Sequence, residues 1–133
     1  MPTAKCFADT NVAVYAVDAD IDKREKALAV LATRPVISTQ VVNEYLNVLL
    51  TKRKLARVDA HELARALMAT SDVASVTPTV TELAMNIGEH YQISHWDALI
   101  VAAALATGCD TLYSEDLQDR QVFEERLTVR NPF

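Results

Sequence analysis

From Ala98 to Ala106 every residue is apolar, within the segment HWDALIVAAALATG. Such a run predicts a helix set into a packed interior, stopped by Gly108 as a natural C′ residue. Upstream, TQVVNEYLNVLLTKR begins at Thr39 and carries apolar rows at Val41, Val42, Tyr45, Leu46, Val48 and Leu49 at helical spacing. Weaker patterns predict helices from a cap at Thr10 or Asn11 to about residue 17, over 22–33, from Asp59 to about residue 69, and from Thr79 (after Pro78) to about residue 90. Short apolar segments at 4–8, 36–38, 73–76, 111–114 and 127–130 read as strands. Strands alternating with helices predict an α/β sandwich around a mostly parallel sheet. With no repeat, linker or low-complexity stretch, the reading is one domain over residues 1–133.

Asp97 stands at the head of the most apolar helix, on the face of Ile100, Val101 and Ala104. A carboxylate aimed at a packed interior needs a cap, a cation or a proton. Ser94 three residues earlier completes a capping-box pattern, so cap and site are both open and compatible readings. Glu44 poses the same question: three after Val41 and four before Val48, it falls on the inward side of its helix. Asp9 and Asp116 each follow a predicted strand, where sites form in open parallel sheets.

Bulk properties narrow the class. The 133 residues are 50% hydrophobic with only two glycines, which suits a compact core rather than a disordered chain. Cys6 and Cys109 lie in or beside apolar segments and read as buried, reduced thiols. Neither they nor His61, His90 and His95 show zinc-ligand spacing. MPTAKCFAD meets a charge before any apolar stretch develops, and nine apolar residues are too few to span a bilayer, so a cytoplasmic protein without membrane attachment is expected. The net charge of −5 opposes a polyanion partner, but setting the four acids aside leaves −1. Lys52, Arg53, Lys54 and Arg57 form the one dense basic cluster, either a solvated helix end or a phosphate-contacting rim.

If the four acids converge, repulsion dictates what accompanies them. Two like charges about 4 Å apart repel by roughly 4 kcal/mol at an effective dielectric near 20. Several such pairs force protonation or recruit a hard cation. All-oxygen donors favour Mg²⁺ or Mn²⁺ over zinc, and Mg²⁺ is commonly held by one or two carboxylates, waters and substrate phosphate oxygens. That chemistry is phosphodiester hydrolysis or phosphoryl transfer. A phospho-acceptor receiver domain fits poorly: Asp9 has no acidic neighbour within eight residues and no lysine follows Lys54.

FADTNV, VVNEYLNVL, HWDALIVAAA and LYSEDLQD, in this order and at this length, resemble the motifs of PIN-domain ribonucleases, and among them the VapC toxins of bacterial and archaeal toxin–antitoxin pairs. The ending VRNPF is similar as well, so the resemblance spans essentially the whole chain. It implies a PIN-like three-layer sandwich, an approximately five-stranded, mainly parallel sheet flanked by helices, usually as a homodimer. It implies metal ligands at Asp9 and Asp97, completed by Glu44 and Asp116. Asn11 and Ser114 match polar helpers that position an acid or a water, with Thr10 a weaker candidate and Asp119 either an outer acid or a surface residue. The implied activity is a Mg²⁺- or Mn²⁺-dependent endoribonuclease that cuts RNA to leave a 5′-phosphate and a 3′-hydroxyl. The implied partners are that RNA and a cognate antitoxin, whose tail blocks the acidic site and whose other end binds promoter DNA. A non-catalytic PIN module acting only in binding is the alternative. Arg120 departs from the pattern, since many members carry glycine there.

Overall fold

The computed structural model describes residues 5–133, so residue 4 of the first predicted strand lies outside the described residues. Six strands form one sheet: β1 (Cys6–Ala8), β2 (Val36–Ser38), β3 (Asp72–Ala74), β4 (Thr111–Tyr113), β5 (Val122–Phe123) and β6 (Leu127–Arg130). Their order is β3-β2-β1-β4-β6-β5, parallel throughout except for β5 against β6. The predicted class is therefore correct, with one strand more than expected. The addition is β5, two residues between Gln121 and Glu124, too short to leave a periodic signal.

The chain builds outward from β1 through β2 to β3, then crosses back to lay β4 on the other side of β1. The β1–β4 boundary is thus the point where winding reverses, and the carboxyl ends of these two strands frame a crevice. Cys6 and Cys109 mark the opposite edge: Cys6 opens β1 and Cys109 precedes β4, both as free thiols. Cys109 is buried as predicted, whereas Cys6 is only half-buried.

Six helices flank the sheet: α1 (Thr10–Tyr15), α2 (Ile21–Leu31), α3 (Thr39–Thr51), α4 (Arg57–Ala69), α5 (Pro78–Tyr91) and α6 (His95–Ala106). Except for α4, which follows Ala56 with no side-chain cap, their starts are set by side chains that accept from orphan backbone donors. Asp20, Ser38, Thr77 and Ser94 cap α2, α3, α5 and α6. Asp9, rather than Thr10 or Asn11, is the N-cap of α1, accepting from the Thr10 N–H. Pro78 is the first residue of α5 rather than its predecessor, because its missing N–H costs nothing there. The α6 helix ends at Thr107 and Gly108, whose φ of +77° is the left-handed turn a glycine takes without strain.

All eight residues from Ala98 to Leu105 are buried, with α5 and β2 packed against the helix. Burying Leu99, Ile100, Val101 and Leu105 contributes on the order of 10 kcal/mol against an extended chain. That fixes the first turn of α6, and Asp97 within it, relative to the sheet. Among the described residues no helix is long and apolar enough to cross a membrane.

Candidate active site

The innermost of the four acids is Asp9, directly after β1, with only 5% of its surface exposed. Its backbone N–H extends the sheet by donating to the Tyr113 carbonyl at 3.0 Å. Both carboxylate oxygens are occupied: Oδ1 accepts from the Thr10 N–H at 2.7 Å and Oδ2 from the Ser114 hydroxyl at 2.8 Å. Burial nevertheless pushes its pKa from 3.8 up to about 6; the two hydrogen bonds oppose that rise, while Asp116 and Glu44 add to it.

Ser114, fully buried beyond β4, is the hub of the strand ends. While donating to Asp9, its Oγ accepts from the N–H groups of Asp116 at 3.2 Å and Leu117 at 3.3 Å. Asn11, on α1, clamps the same loop from the other side. Its Nδ2 donates to Asp116 Oδ2 and its Oδ1 accepts from the Glu115 N–H, both at 3.3 Å. Asp116 itself is exposed at the mouth of the crevice.

Glu44 corrects one expectation. Helical spacing places it on the inward side of α3, yet the residue is exposed. The apolar rows of α3 bury Val41, Val42, Tyr45 and Leu49, and Glu44 falls at the border of that face, lining an open cleft rather than the core. Partial loss of water raises its pKa above the ordinary range; Gln40 and Thr10 ease the charge, and Asp97 and Asp116 raise it further. Neither neighbour makes a well-formed bond to it: Gln40 Nε2 donates to the Trp96 carbonyl at 3.1 Å, and Thr10 Oγ1 is buried without a partner.

Asp97 is half-buried at the start of α6. Ser94 Oγ accepts from the Asp97 N–H at 3.1 Å, but no hydrogen bond to the Asp97 carboxylate forms among the described residues. The capping box is therefore half made: Ser94 is the cap, and the Asp97 carboxylate is left over. Asp119 is a tie, its Oδ1 accepting from the Asn131 N–H at 2.8 Å. Arg120 adopts φ +69°, the region that favours glycine.

The motifs thus bring Asp9, Asn11, Ser114 and Asp116 into direct contact, with Glu44 and Asp97 close enough to be felt electrostatically. Every donor is oxygen, the type that suits a hard divalent cation. Among the described residues, however, no group of three or more His, Cys, Asp or Glu is arranged to hold a metal ion. One acid escaped the sequence reading. Glu115 accepts from the Tyr15 hydroxyl and pairs with Lys23 at 3.5 Å. Its signal was the adjacent acidic pair in SEDLQD; the sequence does not say which of two neighbouring acids faces which way.

The PIN domain family matches residues 6–123. The chain belongs to the PIN domain family. No curated protein matches the chain significantly. Among solved structures, this PIN domain is similar to VapC20 of Mycobacterium tuberculosis, described as a sarcin-ricin loop-cleaving toxin (TM-score 0.67, 23% identity, 84% of this chain and 90% of that one). It is also similar to the DNA-bound VapBC of Salmonella typhimurium (TM-score 0.75, 12% identity, 98% and 100%). A toxin–antitoxin complex from Klebsiella pneumoniae superposes with a TM-score of 0.72 at 18% identity over 98% of both chains. At these identities the likeness is one of fold.

Proposed function

We propose that this PIN domain is an endoribonuclease, the toxin of a VapBC-type toxin–antitoxin pair. The observation that carries the reading is Asp9 and Asp116 tied together through Ser114 at the β1–β4 switch point, with Glu44 and Asp97 near enough to add to the electrostatics. Burial first, and the Asp116 and Glu44 charges after it, raise Asp9 to about 6. A structural core has no use for such a cluster; a site that receives a cation and a phosphate does.

The carboxylate donors are of the type that Mg²⁺ or Mn²⁺ takes; Asp9 and Asp97 would hold the ion, with Glu44 and Asp116 completing the set. When bound, the ion supplies charge that offsets the carboxylates beside a phosphate and makes water acidic near neutral pH. The chain's own residues do the rest. Ser114 and the Thr10 N–H orient Asp9, and Asn11 fixes the Asp116 loop. RNA would be cut by water to a 5′-phosphate and a 3′-hydroxyl. The solved structures of toxin–antitoxin and DNA-bound complexes similar to this chain support an antitoxin partner; the proposal adds that promoter DNA is reached only through that antitoxin, and that the toxin is a cytoplasmic homodimer.

The test is cleavage of RNA by the purified protein with Mg²⁺ or Mn²⁺, against EDTA and the Asp97→Asn variant. Cleavage is expected to disappear in both controls; undiminished cleavage by the variant would sink the assignment. The absence of a ready three-ligand cluster among the described residues favours a second reading, a non-catalytic PIN binding module. A calorimetric titration with Mn²⁺ that shows no binding would select it.

A further inference from the structure

The cleft beside the acids, about 980 Å³, is lined on one wall by α3 and the first turn of α6. Its most conspicuous member is Trp96, the only tryptophan in the chain, 66% exposed immediately before Asp97. A lone exposed apolar residue is ordinary, but its surroundings here are not. Its carbonyl is pinned by Gln40 from α3, and its ring stands edge-on to His95 at 5.6 Å, leaving the indole presented to the cleft. Asn43 and Asn47, both exposed, lie one turn apart on the cleft side of α3, about 6 Å by helical rise. Each amide both donates and accepts, as base edges require. At the far end Lys52 is exposed and makes no ion pair among the described residues, whereas Arg53 is tied to Asp18 at 2.9 Å. Glu44 to Lys52 spans about 12 Å along the helix.

We infer that this wall is a track for single-stranded RNA: one base stacks on Trp96, Asn43 and Asn47 read base edges, and Lys52 takes a phosphate. The choice of RNA rests on the nuclease reading above; the geometry supplies the single strand. Aromatic stacking needs an exposed base face, which a duplex hides within its own stack. The lysine gives the backbone its countercharge away from the acids, so a strand held at Lys52 and Trp96 is led toward the carboxylates. On this assignment Trp96, Asn43 and Asn47 set which sequence is cut, and the four acids do not.

The experiment titrates the protein, in EDTA, with a short mixed-sequence RNA oligonucleotide, single-stranded or annealed to its complement. Binding is read from dye-labelled RNA anisotropy and from the fluorescence of the single tryptophan. The single strand should quench Trp96 and bind at least about tenfold more tightly than the duplex. Trp96→Ala should weaken binding by roughly 5- to 100-fold, in line with the loss of one stacked base, and Trp96→Phe by no more than about threefold. Asn43→Ala with Asn47→Ala should narrow the spread of affinities among the four homopolymers. Quenched binding by a protein that never cuts RNA would remove the nuclease reading and keep the track. RNA cleavage without quenching, equal duplex affinity, or a Trp96→Ala variant with unchanged RNA affinity would overturn the track. An altered mass of that last variant in solution would assign the indole to a contact between copies instead.

Discussion

Asp9 stores the tension of the site in a single proton. Its folded pKa of about 6 exceeds the unfolded 3.8, so below about pH 4 both states are protonated and nothing is lost. Between about pH 4 and 6 the unfolded chain ionises while the buried carboxyl keeps its proton, so the ion-free protein should lose about 3 kcal/mol by the time the pH passes 6, and little more above it. Urea unfolding of the EDTA-treated protein at pH 4 to 8 should show that decline, flattened in Asp9→Asn. At Asp97 the structure separates two roles that sequence spacing left joined. Ser94→Ala should cost about 1 kcal/mol, because the hydroxyl is the cap. Asp97→Asn should leave the ion-free stability unchanged or raised, because its carboxylate bonds to nothing among the described residues. Thermal melts of the two variants side by side check this; a larger loss for Asp97→Asn would return the capping role to it.

At the scale of elements, legibility followed the strength of periodicity. The α3 and α6 helices were plain because long apolar rows have no other explanation, and β2 and β6 agree with the reading to the residue. Glu44 went astray because spacing defines a face only to within part of a turn, and the border between core and cleft runs through that part. Its site role, taken from motif resemblance, does not depend on the error. The α1 cap falls one or two residues before the predicted Thr10 or Asn11, because Asp9 follows directly on β1 and itself opens the helix. Arg120 is the converse case: an odd residue in the motif whose backbone conformation, φ +69°, explains why glycine is favoured there. A left-handed non-glycine residue costs roughly 1 kcal/mol or more, partly offset by glycine's greater unfolded freedom. Arg120→Gly should therefore stabilise by up to about 1 kcal/mol in chemical denaturation, with RNA cleavage unchanged.

Across the whole molecule, the crossover from β3 to β4 is what assembles the site. Acids at positions 9, 44, 97 and 116 are scattered in sequence, and only strand order brings them to one edge. The sequence named the acids but not their spacing, which depends on how far α3 and α6 stand from the sheet. A cation that binds only the folded edge stabilises the whole fold through mass action, by about 2.7 kcal/mol at a hundredfold excess over its Kd. For a domain of this length Mg²⁺ or Mn²⁺ should then raise the melting temperature by roughly 5–10 °C above the EDTA value, and less at pH 5, where Asp9 holds a proton.

The two free thiols sit at the other end of the same strands. Cys6 begins the strand that Asp9 directly follows, about 10 Å away along the chain. A thiol reagent entering there meets the opposite edge of the sheet from the carboxylates, with the packed core in between. A dye placed on Cys6 would therefore report unfolding of the sheet from the edge opposite the crevice.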